Sequence, residues 1–350
     1  MVIAAACLAA ATLSAETLLV VRKSADALDF IDPGSGLRLA SVPLGHAPHE
    51  ISVSPDGRLA VVSNYGTRAQ PGSTISIVDL EQPRELRRID LAPHARPHGV
   101  AWYAPDRIAV TAEGSKSLLI VDPVAGHIER AIETGQDVSH MVAVSRDALR
   151  AYVSNIGSGT TTIIDLETGH KLGDVATGGG SEGLALAPDG RELWVAARDD
   201  GYITVVDTAR LAVTARLPLQ GMPIRLAITP DGGTALATCA RSGELVAFDV
   251  ATRSERARRG IGLTAAPDAH GRPFARVAPG SPAPVGMLLS PDGRRVFVAA
   301  TLGDATVQFE TATLAPVRAV MVDGEPDGLA ATAVMPRAQC HACTADDPLN

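Results

Sequence analysis

Three histidines, two carboxylates and three arginines recur at related places in this chain, and their types suit acid–base, anion-binding or metal chemistry. His49, His140 and Glu182 each stand seven residues before the Asp of a Pro-Asp-Gly-like turn, and His98 stands eight before its own. The same offset selects Ile224 and Val285, and a Pro-Asp-Gly-Leu-Ala segment near the C-terminus supplies Asp327. In repeat order the series runs Asp327, His49, His98, His140, Glu182, then the two apolar residues, so five polar positions adjoin. Neutral imidazole nitrogen ligates zinc, copper, iron or nickel, which makes His49, His98 and His140 candidate ligands for a divalent transition metal. Without metal, His98 and His140 can serve as general bases, with Glu182 as the acid. Arg198, Arg225 and Arg241 fall opposite this arc, and their planar forks suit a carboxylate or phosphate. With His49 and Asp327 they form the candidate set for holding a small anionic ligand. His46 and His94 lie a few residues upstream of the arc, which brings five of the nine histidines to one region. The structural alternative is that these histidines bond neighbouring backbone carbonyls and the arginines form a solvated rim.

The elements that position these residues follow from an internal repeat. A turn signature recurs as SPDG at 54–57, APDR at 104–107, SRDA at 145–148, APDG at 187–190, TPDG at 229–232 and SPDG at 290–293. A second marker closes each unit at Asp79, Asp122, Asp165, Asp207, Asp249 and Glu310, with gaps of 43, 43, 42, 42 and 61. Another copy ends at Asp32. Each unit carries four short apolar or alternating runs, the pattern of four strands. In the turn, Pro sets φ, Asp bonds its own backbone, and Gly accepts positive φ. These acids are therefore assigned to turns and not to catalysis. Four strands at a period near 42 is the arithmetic of an all-β, seven-bladed β-propeller of four-stranded antiparallel blades. The first unit holds only three runs (TLLVVRK, ALDFID, LRLASVPLG), and 326–334 can supply its inner strand, so the last blade is expected to be closed by both termini. By topology the residues before each inner strand look into the channel mouth.

The marks PHE and PHG, SPDG, and Tyr152-Val153-Ser154-Asn155 running on to Asp165 and Gly169 resemble the YVTN-type propeller repeat over about 310 residues. That resemblance implies an extracytoplasmic propeller, in a wider group with quinoprotein dehydrogenase chains and lactonase-like propellers. It implies fold rather than chemistry. No Gly-His…Trp-Asp pair is present, which disfavours WD40 repeats. Trp102 and Trp194 lie two blades apart in strand patterns and read as blade packing, not as a protein-derived quinone.

Residues 1–15 are small and apolar and end in a plausible cleavage site after Ala15, although they lack Lys and Arg. They read as a signal peptide, followed by one propeller over 16–335 and a polar tail over 336–350. Cys340 and Cys343 form C-x-x-C without a following His, so a local disulfide is the economical reading. No later segment is long and apolar enough to span a bilayer as a helix. The net charge of −8 argues against a nucleic-acid partner. Within 256–283 some 19 residues are extra relative to the preceding units, and a shorter extension lies at 66–73. Both belong to the mouth face, where long loops serve as lids or partner-binding segments. No G-x-S-x-G elbow, P-loop, Rossmann fingerprint or HExxH appears. The expected function is a periplasmic or secreted monomeric propeller that binds a small anionic ligand, metal or protein partner at its mouth. The alternative is a lactonase-type hydrolase or isomerase using His98, His140 and Glu182 with arginine anchoring.

Overall fold

The computed structural model describes residues 16–337, so the segments read above as a leader and a C-x-x-C tail lie outside the described residues. Seven four-stranded antiparallel sheets form a closed ring. The inner strands are Pro48–Val53, Pro97–Ala104, Ser139–Val144, Ser181–Leu186, Pro223–Ile228, Pro284–Leu289 and Pro326–Thr332, here called blades one to seven. Blade three shows the plan: Ser139–Val144, Arg150–Asn155, Thr160–Asp165 and Lys171–Ala176, hydrogen-bonded in that order. In blade seven the C-terminal strand Pro326–Thr332 is innermost and pairs with Thr17–Arg22, setting Leu19 opposite Ala330. Both ends of the chain thus close the ring, and no unpaired inner edge remains in that blade.

The turn chemistry is as the residues require. Ser54 Oγ donates to Asp56 Oδ1 at 2.6 Å, the same carboxylate accepts the Arg58 N–H, and Gly57 takes φ +74°. Asp122 caps the turn after the third strand by accepting the Val124 and Ala125 N–H groups at 2.7 and 2.8 Å. With aromatics at 3% of the chain, the blades pack through aliphatic residues. Leu19, Phe30 and Val42 of blade seven meet Ile51, Val62 and Leu80 of blade one in one cluster. Trp194 is fully buried with Phe248 at 6.5 Å, and Trp102 sits in a separate cluster. Cys239 is a free, fully buried thiol.

Arginines stitch the lower face. Arg87 donates to the Val124 carbonyl of the next blade at 2.6 Å, Arg130 to Glu167 at 3.3 Å, Arg150 to Thr208 at 2.8 Å and Arg318 to Ser35 at 2.9 Å. Gly126 and Gly169 make room for two of them, since a Cβ at either would collide with the guanidinium.

At the axis the inner strands approach so closely that side chains are excluded at some positions. A Cβ on Gly99 would lie 2.7 Å from the carbonyl oxygen of His140, and one on Gly183, Gly286 or Gly328 would overlap that of Ile224, Asp327 or His49. The equivalent residues of blades one, three and five are Glu50, Met141 and Arg225. Hydroxyls of the second strands pin carbonyls of this row in the next blade: Thr111 Oγ1 donates to His140 O at 2.6 Å and Ser154 Oγ to Glu182 O at 2.5 Å.

The insertion before blade six is folded down. Residues 261–283 carry two short 3₁₀ turns, Ala269–Gly271 and Pro273–Arg276, with Ala269 and Ala278 buried. Arg272 forks onto Asp304 at 2.6 and 2.8 Å. Phe274 packs on Met222, Ile224, Ala240 and Val285, so the segment roofs the apolar sector of the ring.

Two outcomes follow. A chain cut after Glu325 loses the inner strand of blade seven; it should aggregate or melt well below the intact protein by circular dichroism and size-exclusion chromatography, and an unchanged melting temperature would refute the closure. Gly286→Ala should cost roughly 1–3 kcal/mol by chemical denaturation, because backbone and not a flexible side chain occupies the space.

Candidate functional site

The residue at the second place of each inner strand does face the mouth in every blade: His49, His98, His140, Glu182, Ile224, Val285 and Asp327. Neighbouring blades set these side chains shoulder to shoulder. The His98 and His140 rings stack with centroids 3.7 Å apart, and His49 lies 5.0 Å from His98. All but His49 among the five polar members are buried.

His140 is held at both ring nitrogens. Nδ1 stands 2.6 Å from Glu113 Oε1 and Nε2 2.9 Å from Glu182 Oε1. Both contacts suit a ring that donates from each nitrogen, an imidazolium. Burial opposes that charge, but Glu182 and Glu113 outweigh it and lift the pKa to about 9. Glu182 is likewise opposed by burial, yet His140, Arg198 and Arg225 hold its pKa down to about 2. Arg198 donates to its other oxygen at 2.5 Å.

His98 has the opposite character. Burial, then repulsion from His140 and His49, drives its pKa well below the usual histidine value, so the ring is neutral. Its Nδ1 is buried and has no hydrogen-bond partner among the described residues. On the far side of the arc, His49 Nδ1 donates to Asp327 Oδ2 at 2.7 Å, and Lys23 Nζ stands 3.7 Å from the same oxygen. Burial works against the Asp327 charge, but Lys23 and His49 keep its carboxyl far below the normal range.

Arg225 closes the floor. It occupies the third place of its inner strand, 9% exposed at the side chain, and spans the channel between Glu50 of blade one and Glu182 of blade four. Burial disfavours its charge, but Glu50, Glu182 and Asp327 more than restore it.

Several of these groups were not among the sequence candidates. The residues directly after the second strands are Glu113, Ile156, Arg198, Ala240, Thr301 and Lys23, and the equivalent residue of blade one is Tyr65, inside the longer strand Leu59–Gly66. Four of these seven join the cluster. Tyr65 Oη donates to Glu113 Oε2 at 2.6 Å and accepts from Arg96 Nη1 at 3.2 Å. Tyr65 loses its proton only well above the usual range, because it is buried beside Glu113. The signal was one residue away. Asn64 and Asn155 pair with Pro48 and Ser139 inside the ladder, so the mouth position is the residue after them, and Arg198 occupies it. Arg241 does not: it lies one residue further on, is exposed, and donates Nε–H to the Val277 carbonyl of the insertion at 3.1 Å. It anchors the roof and is not joined to the cluster. His46 contacts Asp26 at 3.4 Å and His94 contacts Ser115 at 2.8 Å, both apart from the arc. His49 is tied to Asp327, so the three histidines do not form a common ligand set. One ligand atom each from His98, His140 and Glu113 instead lies within 4.8 Å of the others.

No family model matches the chain. It is 25% identical to Protein NirF of Pseudomonas aeruginosa over 189 residues, 51% of this chain and 47% of that protein. It is 24% identical to Protein NirF of Stutzerimonas stutzeri over 187 residues, 50% and 46% of the two chains. The matched region spans about half the length of these relatives. Among solved structures, hydrazine synthase of Kuenenia stuttgartiensis superposes with a TM-score of 0.68 at 19% identity, covering 85% of this chain and 93% of that one. A protein of unknown function from Desulfotomaculum acetoxidans gives 0.74 at 15% identity over 92% and 99%. The periplasmic gluconolactonase PpgL of Pseudomonas aeruginosa gives 0.72 at 18% identity over 91% and 99%. These likenesses are of fold, and together with the ring of seven sheets they make the chain a seven-bladed β-propeller.

Proposed function

We propose that this chain is an extracytoplasmic propeller that binds a small anionic ligand at its channel mouth. The observation that carries the reading is the Nδ1 of His98, which with Oδ1 of Asp327 is a buried and unpartnered polar atom of the mouth cluster. A buried polar atom left without a partner is costly, and such atoms are rare unless a ligand or water completes them. Around it, Lys23, Arg96 and Arg198 are only partly covered and offer positive charge at the rim, beside the exposed Asp199 that pairs with Arg198, while Glu182 beneath is engaged by His140, Arg198 and Arg225. An anion is steered to such a mouth and finds charge-assisted donors there. The apolar roof over Ile224 and Val285 would suit a ligand with a hydrocarbon portion. The signal-like character of residues 1–15 supports an extracytoplasmic location. Among the described residues no helix is long and apolar enough to cross a membrane.

A second reading, a hydrolase or isomerase of lactonase type, is favoured by the same ring. A neutral imidazole beside an imidazolium supplies a proton acceptor and a proton donor within one stack. Glu182 does not fit the acid role in that reading, since it is held ionised.

Calorimetric titration with small mono- and dicarboxylates tests the site. His98→Ala and Arg198→Ala should each weaken binding at least tenfold, whereas His127→Ala and His170→Ala on the lower face should leave it unchanged. His140→Ala should also destabilise the fold by roughly 2–5 kcal/mol, because it leaves Glu182 and Glu113 buried without their shared donor. Equal affinities for upper- and lower-face variants would remove the mouth from consideration.

A further inference from the structure

We propose that His98, His140 and Glu113 form a mononuclear site for a divalent transition metal, zinc or a first-row neighbour, with one coordination position left for the anionic ligand. The inference deepens the reading of the mouth as a ligand site and depends on it only for that last position. One ligand atom from each of the three residues lies within 4.8 Å of the other two. Two imidazole nitrogens and a carboxylate oxygen are the three-protein-ligand set that keeps a tetrahedral ion open to a fourth partner. His98 Nδ1 is the unmatched atom, on a side chain more than nine-tenths buried.

The surroundings are those of a ligand shell. Glu182 accepts from Nε2 of His140 at 2.9 Å, which leaves Nδ1 turned to Glu113, and Arg198 holds Glu182 in turn. A carboxylate behind a ligating histidine fixes its orientation and raises its basicity. Tyr65 does the same service for Glu113 by donating to Oε2, leaving Oε1 for the ion. Metal–donor bonds of about 2.0–2.2 Å imply donor separations of roughly 3.3–3.5 Å in a tetrahedron. The 2.6 Å contact between His140 and Glu113 must therefore open, and the longest separation close by a little over 1 Å. Glu113 leads the short turn Glu113–Ser115, and rotation of its side chain would open the His140 contact. The proton between His140 Nδ1 and Glu113 leaves to solvent as the ion enters. Two neutral imidazoles and one carboxylate then leave the ion a net single positive charge, which an anion at the open position neutralises. The trio differs from the three histidines suggested by the repeat: Glu113 replaces His49, which Asp327 occupies.

The untagged, chelator-treated full chain is titrated with Co²⁺ and followed by visible absorption, and with Zn²⁺ by calorimetry. The expected result is one equivalent bound, with the intense visible bands of four-coordinate cobalt. His98→Ala and Glu113→Gln should each lower the affinity about 100-fold or more. His127→Ala and His170→Ala on the lower face should hold it within threefold. Melting curves of each variant establish that it is folded, and the wild-type cobalt spectrum stands independently of any variant. Absence of a one-equivalent site in the wild type, or full affinity in folded Glu113→Gln, overturns the proposal. Carboxylate titrations of the metal-free protein in chelator separate the two readings. Anion binding there with no metal binding keeps the mouth and removes the ion, whereas metal binding with no anion binding in either state does the reverse.

Discussion

Close approach of backbone at the axis is the constraint from which the rest of the mouth follows. The carbonyl oxygens of His49, His140, Ile224 and Asp327 lie where a Cβ of the preceding inner strand would be, so Gly328, Gly99, Gly183 and Gly286 are required there. Where the same place carries a side chain, it points at a channel with little free space. Glu50 and Arg225 meet across that channel. Once Arg225 is at the centre, buried carboxylates are needed to hold its charge, and Glu182 is one of them. Glu182 in turn fixes His140 as a cation, and a cation stacked at 3.7 Å helps keep His98 neutral. A packing limit thus propagates through electrostatics into the protonation states of the residues that can do chemistry.

Such a cluster adds little to net stability, since desolvating its members offsets much of their attraction. Its contribution is to geometry. Two of its members bridge blades: Arg225 reaches blades one and four, and Glu182 meets His140 of blade three and Arg225 of blade five. Displacing either residue leaves a buried charge short of a partner, which fixes where the two side chains sit, and donors placed in advance lower the ordering cost of binding.

The architecture was readable because its signals are local. A Ser-Pro-Asp-Gly turn does its work within five residues, and six such turns with the seventh strand marker at Asp32 count out a ring. The second place of each inner strand was readable for the same reason, being tied to the turn by a short, nearly constant offset. Glu113, Tyr65 and Lys23 were not, although they share one repeat position, because their types differ from blade to blade. Asn64 and Asn155 stand one residue before that position, and only the pairing of Asn64 with Pro48 shows that the asparagine belongs to the ladder. Arg241 was misassigned for a further reason: its direction depends on Val277, which reaches it through an insertion with no counterpart in other blades. The pairing of His49 with Asp327 joins residues 278 apart, visible only once the ring is closed.

The arginines of the lower face carry a different lesson. Arg87, Arg130, Arg150 and Arg318 give their charge to neutral backbone carbonyls of the next blade and not to acids. A guanidinium keeps its proton at any pH the fold survives, and an amide carbonyl has none to lose. These seams are therefore indifferent to acidity, while the opposite face is built from imidazoles and carboxylates whose charge can change. The molecule behaves as a hoop titratable above and riveted below at these four seams, whose bonds stay the same as a proton or a ligand comes and goes at the mouth.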